Sequence, residues 1–157
     1  MPHQAKHSQS ADLRQLSPYL SVRGALAAID FYVKAFGATL DFKLLDPADG
    51  RVGHAELRFG ATTIFINDEY PDFGAISPDT LGGTTVKMTL EVADAEAFVA
   101  HAVEHGATIL RPLKLEFYGY RSALLGDPFG YSWFVQSKVE DVGPEEMQRR
   151  WNAMMAP

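Results

Sequence analysis

The chain repeats itself at an interval of about 70 residues, and few folds accommodate that. Phe36-Gly37-Ala38-Thr39 returns as His105-Gly106-Ala107-Thr108, and Leu20-Ser21-Val22 returns as Leu90-Glu91-Val92. Each copy sits in the same setting. A strand comes first, over 17–22 and again over 85–92, followed by a helix that stops at the glycine. Three short strand-like runs then follow, near 40–45, 52–59 and 62–67 in the first half and near 108–115, 120–126 and 132–137 in the second. Each half reads βαβββ. The first helix carries Leu26, Ile29, Val33 and Phe36 at spacings of three and four, the stripe of a helix lying on a core. In the second, Ala95, Phe98, Val99, Ala102 and Val103 form the stripe, Asp94 caps the start and Gly106 the stop. Two such modules, about 15–70 and 84–138, predict an α+β domain over 15–140 with pseudo-twofold symmetry.

The remaining segments frame that domain. Residues 1–14 are polar and aperiodic and read as a flexible leader. The stretch 68–84, with Pro71, Gly74, Pro78, Gly82 and Gly83, reads as the link between modules. At the other end, Gly143, then Pro144 with Glu145 and Glu146 behind it, opens a C-terminal helix over 143–156. Its apolar edge, Met147, Trp151 and Met154, is suited to packing on the body or on a second subunit.

Composition removes whole classes of function. No cysteine means no disulfide, no thiol nucleophile and no thiolate metal site. A net charge of -6 works against nucleic-acid binding. No apolar run reaches the length of a membrane span and no signal peptide is evident, so a cytoplasmic protein without membrane contact is expected. The chain contains no phosphate-binding glycine loop, no His-Glu-x-x-His and no Gly-x-Ser-x-Gly.

Side chains alternate faces along a strand, and that alternation separates a core from a second surface. Leu20 and Val22 oppose Ser17, Tyr19 and Ser21; Ile64 and Ile66 oppose Thr63, Phe65 and Asn67. Ala55, Leu57 and Phe59 oppose His54, Glu56 and Arg58. Val86, Met88, Leu90 and Val92 oppose Thr85, Lys87, Thr89 and Glu91, and Trp133 and Val135 oppose Ser132, Phe134 and Gln136. The second surface mixes aromatic and polar groups, the composition of a ligand-cavity lining. His54 and Glu56 share a face and suit either ligand orientation or acid–base work. Lys87 suits an anionic group or a salt bridge to Glu56, and Tyr118 and Tyr120 flank Gly119 at a hairpin that suits a pocket mouth. His101 and His105, four apart on the second helix, could chelate a metal, but no third ligand is expected nearby in sequence.

Several stretches together resemble the vicinal oxygen chelate superfamily, the glyoxalase, bleomycin-resistance and ring-cleaving dioxygenase group. They are Ser17-Pro18-Tyr19-Leu20-Ser21-Val22, Ile29-Asp30-Phe31-Tyr32, Ala35-Phe36-Gly37-Ala38, His54-Ala55-Glu56-Leu57 and Asp127-Pro128-Phe129-Gly130-Tyr131-Ser132-Trp133. With Pro144-Glu145-Glu146-Met147 the chain is most similar to the PhnB-like branch. The resemblance implies a cupped mixed β-sheet around a cavity and a homodimer. It also implies a divalent metal held from four positions, which fall here on Ser17, Phe65, Lys87 and Phe134. Two phenyl rings cannot coordinate and an ammonium repels a cation, so no metal or other cofactor is expected at those positions. The expected function is binding of a small organic molecule by Tyr19, His54, Glu56, Phe65, Asn67, Lys87, Tyr118, Tyr120 and Phe134. The alternative is a superfamily lyase, isomerase or transferase using relocated metal ligands or His54 and Glu56, so whether the chain is an enzyme stays open.

Overall fold

In a computed structural model, which describes residues 12–157, the eight strands form two four-stranded mixed sheets, one per module. The predicted leader falls almost wholly outside the described residues. The first module is β1 (Tyr19–Val22), α1 (Ala25–Phe36), β2 (Thr39–Leu45), β3 (Val52–Phe59) and β4 (Thr62–Asp68), with strand order β1-β4-β3-β2. Residues 69–87 hold a 3₁₀ turn, Pro71–Phe73, and the one-turn helix α2, Pro78–Leu81. The second module is β5 (Met88–Glu91), α3 (Ala95–Glu104), β6 (Thr108–Leu115), β7 (Tyr120–Gly126) and β8 (Ser132–Lys138), ordered β5-β8-β7-β6. The last helix, α4, runs Pro144–Met155. No helix among the described residues is long and apolar enough to cross a membrane.

The registers of the two modules match. β1 runs parallel to β4 with Tyr19 opposite Phe65, and β5 runs parallel to β8 with Thr89 opposite Phe134. Glu56 lies opposite Phe65, and Leu124 opposite Phe134. Both first strands are shorter than the sequence pattern suggests. Pro18 has no amide to donate, and ahead of Met88, which pairs with Trp133, β8 begins within one residue. Val86, expected on the core side, is consequently exposed.

The two helices lie between the sheets. α1 packs on all four strands of its own sheet, α3 packs on β6, β7 and β8, and the helices touch each other. Trp133 is fully buried where the modules meet, its ring against Tyr32, Phe36 and Phe59. This explains a departure from the expected helix stripe. Leu26 and Val33 are 46% and 39% exposed, whereas Ala28, Tyr32 and Ala35 are fully buried. A helix covered by its sheet on one side and by the other module on the next buries a wider face, rotated toward its aromatics, than a helix resting on one core. Val103 of α3 is exposed for the same reason of placement.

Asp127 ties the modules together. Its carboxylate accepts from the Tyr32 hydroxyl at 2.5 Å, the Trp133 indole at 2.9 Å and the amides of Phe129 and Tyr131 at 2.8 and 3.0 Å. Burial pushes its carboxyl above the usual range even against those four donors. The Tyr131 hydroxyl crosses back to donate to the Ser21 carbonyl at 3.1 Å.

Helix starts are handled alike in the two halves. Asp68, at the end of β4, accepts from the amides of Gly24, Ala25 and Val52 at 3.1, 2.8 and 2.7 Å. Ser137, its counterpart in β8, accepts from Ala95 at 3.3 Å. Gly24 precedes α1 with φ +79°, a left-handed turn that a side chain would strain.

Candidate functional site

Since the buried side chains of both sheets turn toward the helices, the opposite faces look outward. On the first sheet that face carries a connected group. The Tyr19 hydroxyl and His54 Nδ1 are 2.6 Å apart, and His54 Nε2 and Glu56 Oε1 are 3.3 Å apart. The Tyr19 and His54 rings each pack on Phe65, at 5.6 and 5.1 Å between centroids, and Phe42 flanks His54 at 5.9 Å. Asn67 is held by the Ser21 hydroxyl at 2.7 Å. These contacts follow from strand geometry: residues two apart share a face, and Glu56 faces Phe65 across the ladder.

The donors in this chain run one way. When His54 donates its Nε2–H to Glu56, Nδ1 is left as an acceptor, and the Tyr19 phenol donates to it. Partial burial pushes the Tyr19 phenol above its ordinary range, which keeps that proton on oxygen. The unit can present a hydrogen bond to a ligand or relay a proton along Glu56, His54 and Tyr19.

Beside it lies an open pocket of about 520 Å³, lined by Leu44, Leu45, Gly53, His54, Asn67, Tyr70 and Phe73 among others. The sequence patterns did not point to Leu44, Leu45, Tyr70 or Phe73. Tyr70 is fixed at the rim by the Arg51 guanidinium, 4.0 Å above its ring, and by its hydroxyl bond to Asp46 at 3.1 Å. The stretch 68–84, expected as the link between modules, is built rather than plain. Tyr70 and Ala75 bridge, and Glu69 accepts from the Ser77 amide and hydroxyl at 2.8 and 2.5 Å. Those bonds, with Thr80, lower the Glu69 carboxyl to about 2. Ser77 also caps α2, and Ser-Pro-Asp at that point is a helix-start signal that could have been read.

Tyr19, His54, Glu56, Phe65 and Asn67 are thus brought together, whereas Lys87, Tyr118, Tyr120 and Phe134 lie on the other module. Lys87 is exposed, forms no ion pair with Glu56, and borders a different concavity of about 560 Å³ between the modules, walled by Phe36, Phe59, Met88, Phe98 and Trp133. That cleft is larger and has Thr62, Lys87, Thr89 and Glu91 in its lining, but no two of these are joined by a hydrogen bond or ion pair as Tyr19, His54 and Glu56 are. Phe134 lies under the Arg111 guanidinium at 5.7 Å, and Arg111 pairs with Glu116 at 2.7 Å. Tyr118 and Tyr120 pack on each other, and the Tyr120 hydroxyl reaches Glu91 at 3.4 Å. Their turn is pinned at Gly119, where an added Cβ would come within 2.5 Å of the Glu140 carbonyl. Trp151 of α4 reaches Phe117 at 5.6 Å, and no residue of that helix is buried.

Ser17 and Phe65 belong to one module and Lys87 and Phe134 to the other, and as a donor set they do not fit a cation. Phenyl rings offer no lone pair and the ammonium opposes a second positive charge.

Comparison with known proteins bears on what such a site is for. The family model of the Glyoxalase/Bleomycin resistance protein/Dioxygenase superfamily matches residues 15–135. An uncharacterized protein of Mycobacterium tuberculosis is 39% identical over 136 residues, which is 85% of this chain and 79% of that one. The crystal structure of protein PA1353 from Pseudomonas aeruginosa is similar at a TM-score of 0.66 and 24% identity, covering 82% of this chain and all of its own. A gene product of Arabidopsis thaliana is similar at 0.64 and 28%, covering 79% of this chain and 98% of its own. A PhnB protein from Bacillus cereus shares the fold at 0.61 and 17%, covering 79% of this chain and 99% of its own.

Proposed function

Because the chain belongs to the glyoxalase/bleomycin-resistance/dioxygenase superfamily, whose fold hosts unlike activities, we propose a function from the site itself: the outer face of the first sheet binds a small, partly aromatic or anionic organic molecule without a metal. The observation that carries this reading is the joined set of Tyr19, His54, Glu56 and Phe65 beside an apolar pocket of about 520 Å³. Leu44, Leu45, Phe65 and Phe73 supply contact area, and His54, Asn67 and the Tyr19 hydroxyl fix orientation. A second copy of the chain closes the site. In support, the edge strands of the two sheets carry exposed apolar residues, Phe42, Leu44 and Leu45 on β2 and Ile109, Leu110 and Leu115 on β6. In a dimer, Phe134, Tyr118 and Tyr120 of one chain would face His54 of its partner.

The test is a thermal-shift screen against planar aromatic and anionic small molecules, followed by calorimetric titration of the hits. Binding is expected to weaken at least about tenfold in His54→Ala and in Phe65→Ala, with folding retained, as for a central aromatic anchor. Hits indifferent to both substitutions, or no hit at all, overturn the reading.

The alternative, an acid–base enzyme, is favoured by one observation, the Glu56–His54–Tyr19 hydrogen-bond chain. Turnover would then depend on pH and fall about 10²-fold or more in Glu56→Gln. Equal inertness of wild type and variant across dicarbonyl and thiol substrates rejects it.

A further inference from the structure

Apart from the sheet-face site, the last turn of α3 gathers His101, Glu104 and His105, all exposed, with one ligating atom of each within 4.8 Å of the others. The sequence leads one to expect no third ligand near the two histidines; the structure corrects this, because Glu104, adjacent to His105 in the chain, supplies it. The imidazole rings lie 4.3 Å apart between centroids.

Their hydrogen bonds decide which nitrogens are free. His101 Nε2 donates to the Lys34 carbonyl at 2.8 Å, and His105 Nδ1 donates to the His101 carbonyl at 2.9 Å. A ring that donates from one nitrogen keeps a lone pair on the other, so His101 Nδ1 and His105 Nε2 are acceptors. A backbone carbonyl behind the imidazole is also the partner that orients and strengthens a metal-bound histidine. Glu104 forms no ion pair among the described residues, and the nearby Lys34 ammonium is occupied by Asp30 at 3.0 Å. The three groups sit at the C-terminal end of a ten-residue helix, where the helix dipole favours a cation.

We propose that this turn is a divalent transition-metal site, with His101 Nδ1, His105 Nε2 and a Glu104 carboxylate oxygen as a three-cornered nitrogen–nitrogen–oxygen set for Zn²⁺ or a similar ion. The remaining coordination positions face solvent and take water. Since His101 also holds the Lys34 carbonyl of α1, the ion braces the contact between the two modules' helices.

The experiment is calorimetric titration of the untagged protein with ZnCl₂, read alongside thermal unfolding. One ion per chain is expected. At free zinc about a hundred times the dissociation constant, the midpoint should rise by roughly 5–10 °C. His105→Gln and Glu104→Gln, whose side chains face solvent, should each weaken binding at least about tenfold while leaving the zinc-free midpoint within about 2 °C. His54→Asn and the double variant His3→Ala/His7→Ala should bind as wild type does. Absence of saturable binding overturns the proposal. So does wild-type binding by His105→Gln, or loss of binding in either of the two control variants.

Discussion

In the first module, Tyr19 and Phe65 open a run of contacts that continues through His54 to Glu56; in the second, the corresponding pair, Thr89 and Phe134, leads only from Phe134 to the Arg111–Glu116 ion pair. Leu124 stands where Glu56 does, and Ser122, two residues earlier in β7, stands where His54 does. The Ser122 hydroxyl is fully buried and makes no hydrogen bond within the protein. The register of β1, β4 and β3 matches that of β5, β8 and β7, so what differs on these strands is what the side chains can do. The inner faces behave in the opposite way: both are apolar, both receive a helix, and both meet at Trp133. The repeat therefore carries the fold, and the positions where the copies diverge carry the chemistry.

That division is open to attack from the inner side first. Trp133→Ala should cost about 3–5 kcal/mol in denaturant unfolding, because a fully buried indole at the junction leaves a cavity bounded by both modules. A loss under about 1 kcal/mol would mean that the modules do not share a core. Next come the two helix caps, equivalent by position but unequal in bonding. Asp68→Ala strands three amides and should cost about 2–3 kcal/mol, whereas Ser137→Ala strands one held at 3.3 Å and should cost about 0.5 kcal/mol. Equal losses would remove this asymmetry.

The outer faces supply smaller effects. Ser122→Ala removes a buried hydroxyl without a partner and should leave stability unchanged or raise it by up to about 1 kcal/mol. A marked loss would show that this face is bonded after all. The mildest effect concerns Glu69, whose counterpart in the second half is Lys138. The Glu69 carboxyl is lowered from 4.5 to about 2 by Ser77 and Thr80, so it favours the native link above pH 4.5 and loses that contribution as pH falls toward 2. Amide exchange, corrected for the intrinsic effect of pH, should therefore speed up over 69–83 across that window. Uniform protection there would contradict the linkage.

How far the sequence could be read depends on the range of the signal. Alternation has a period of two and acts within one strand, so Tyr19, His54, Glu56, Phe65 and Asn67 could be assigned to one face from the sequence. Leu44 and Leu45 could not, because β2 is exposed along nearly its whole length and shows no alternation. Tyr70 and Phe73 reach the pocket through a tight bend set by Glu69, Asp46 and Arg51, contacts no periodicity encodes. The Tyr32–Asp127 bond joins residues 95 apart in the chain and turns α1 away from its expected stripe. Glu104 is hidden for a different reason: in sequence, one carboxylate at the end of an exposed helix is indistinguishable from an ordinary solvated charge.

The decisive measurement is an NMR titration of the aromatic and methionine side chains with the strongest hit of the ligand screen. The account predicts that the resonances of His54, Tyr19 and Phe65 shift and saturate together. If they stay fixed while Phe98 and Met88 of the cleft between the modules shift, the site has been placed on the wrong side of the sheet.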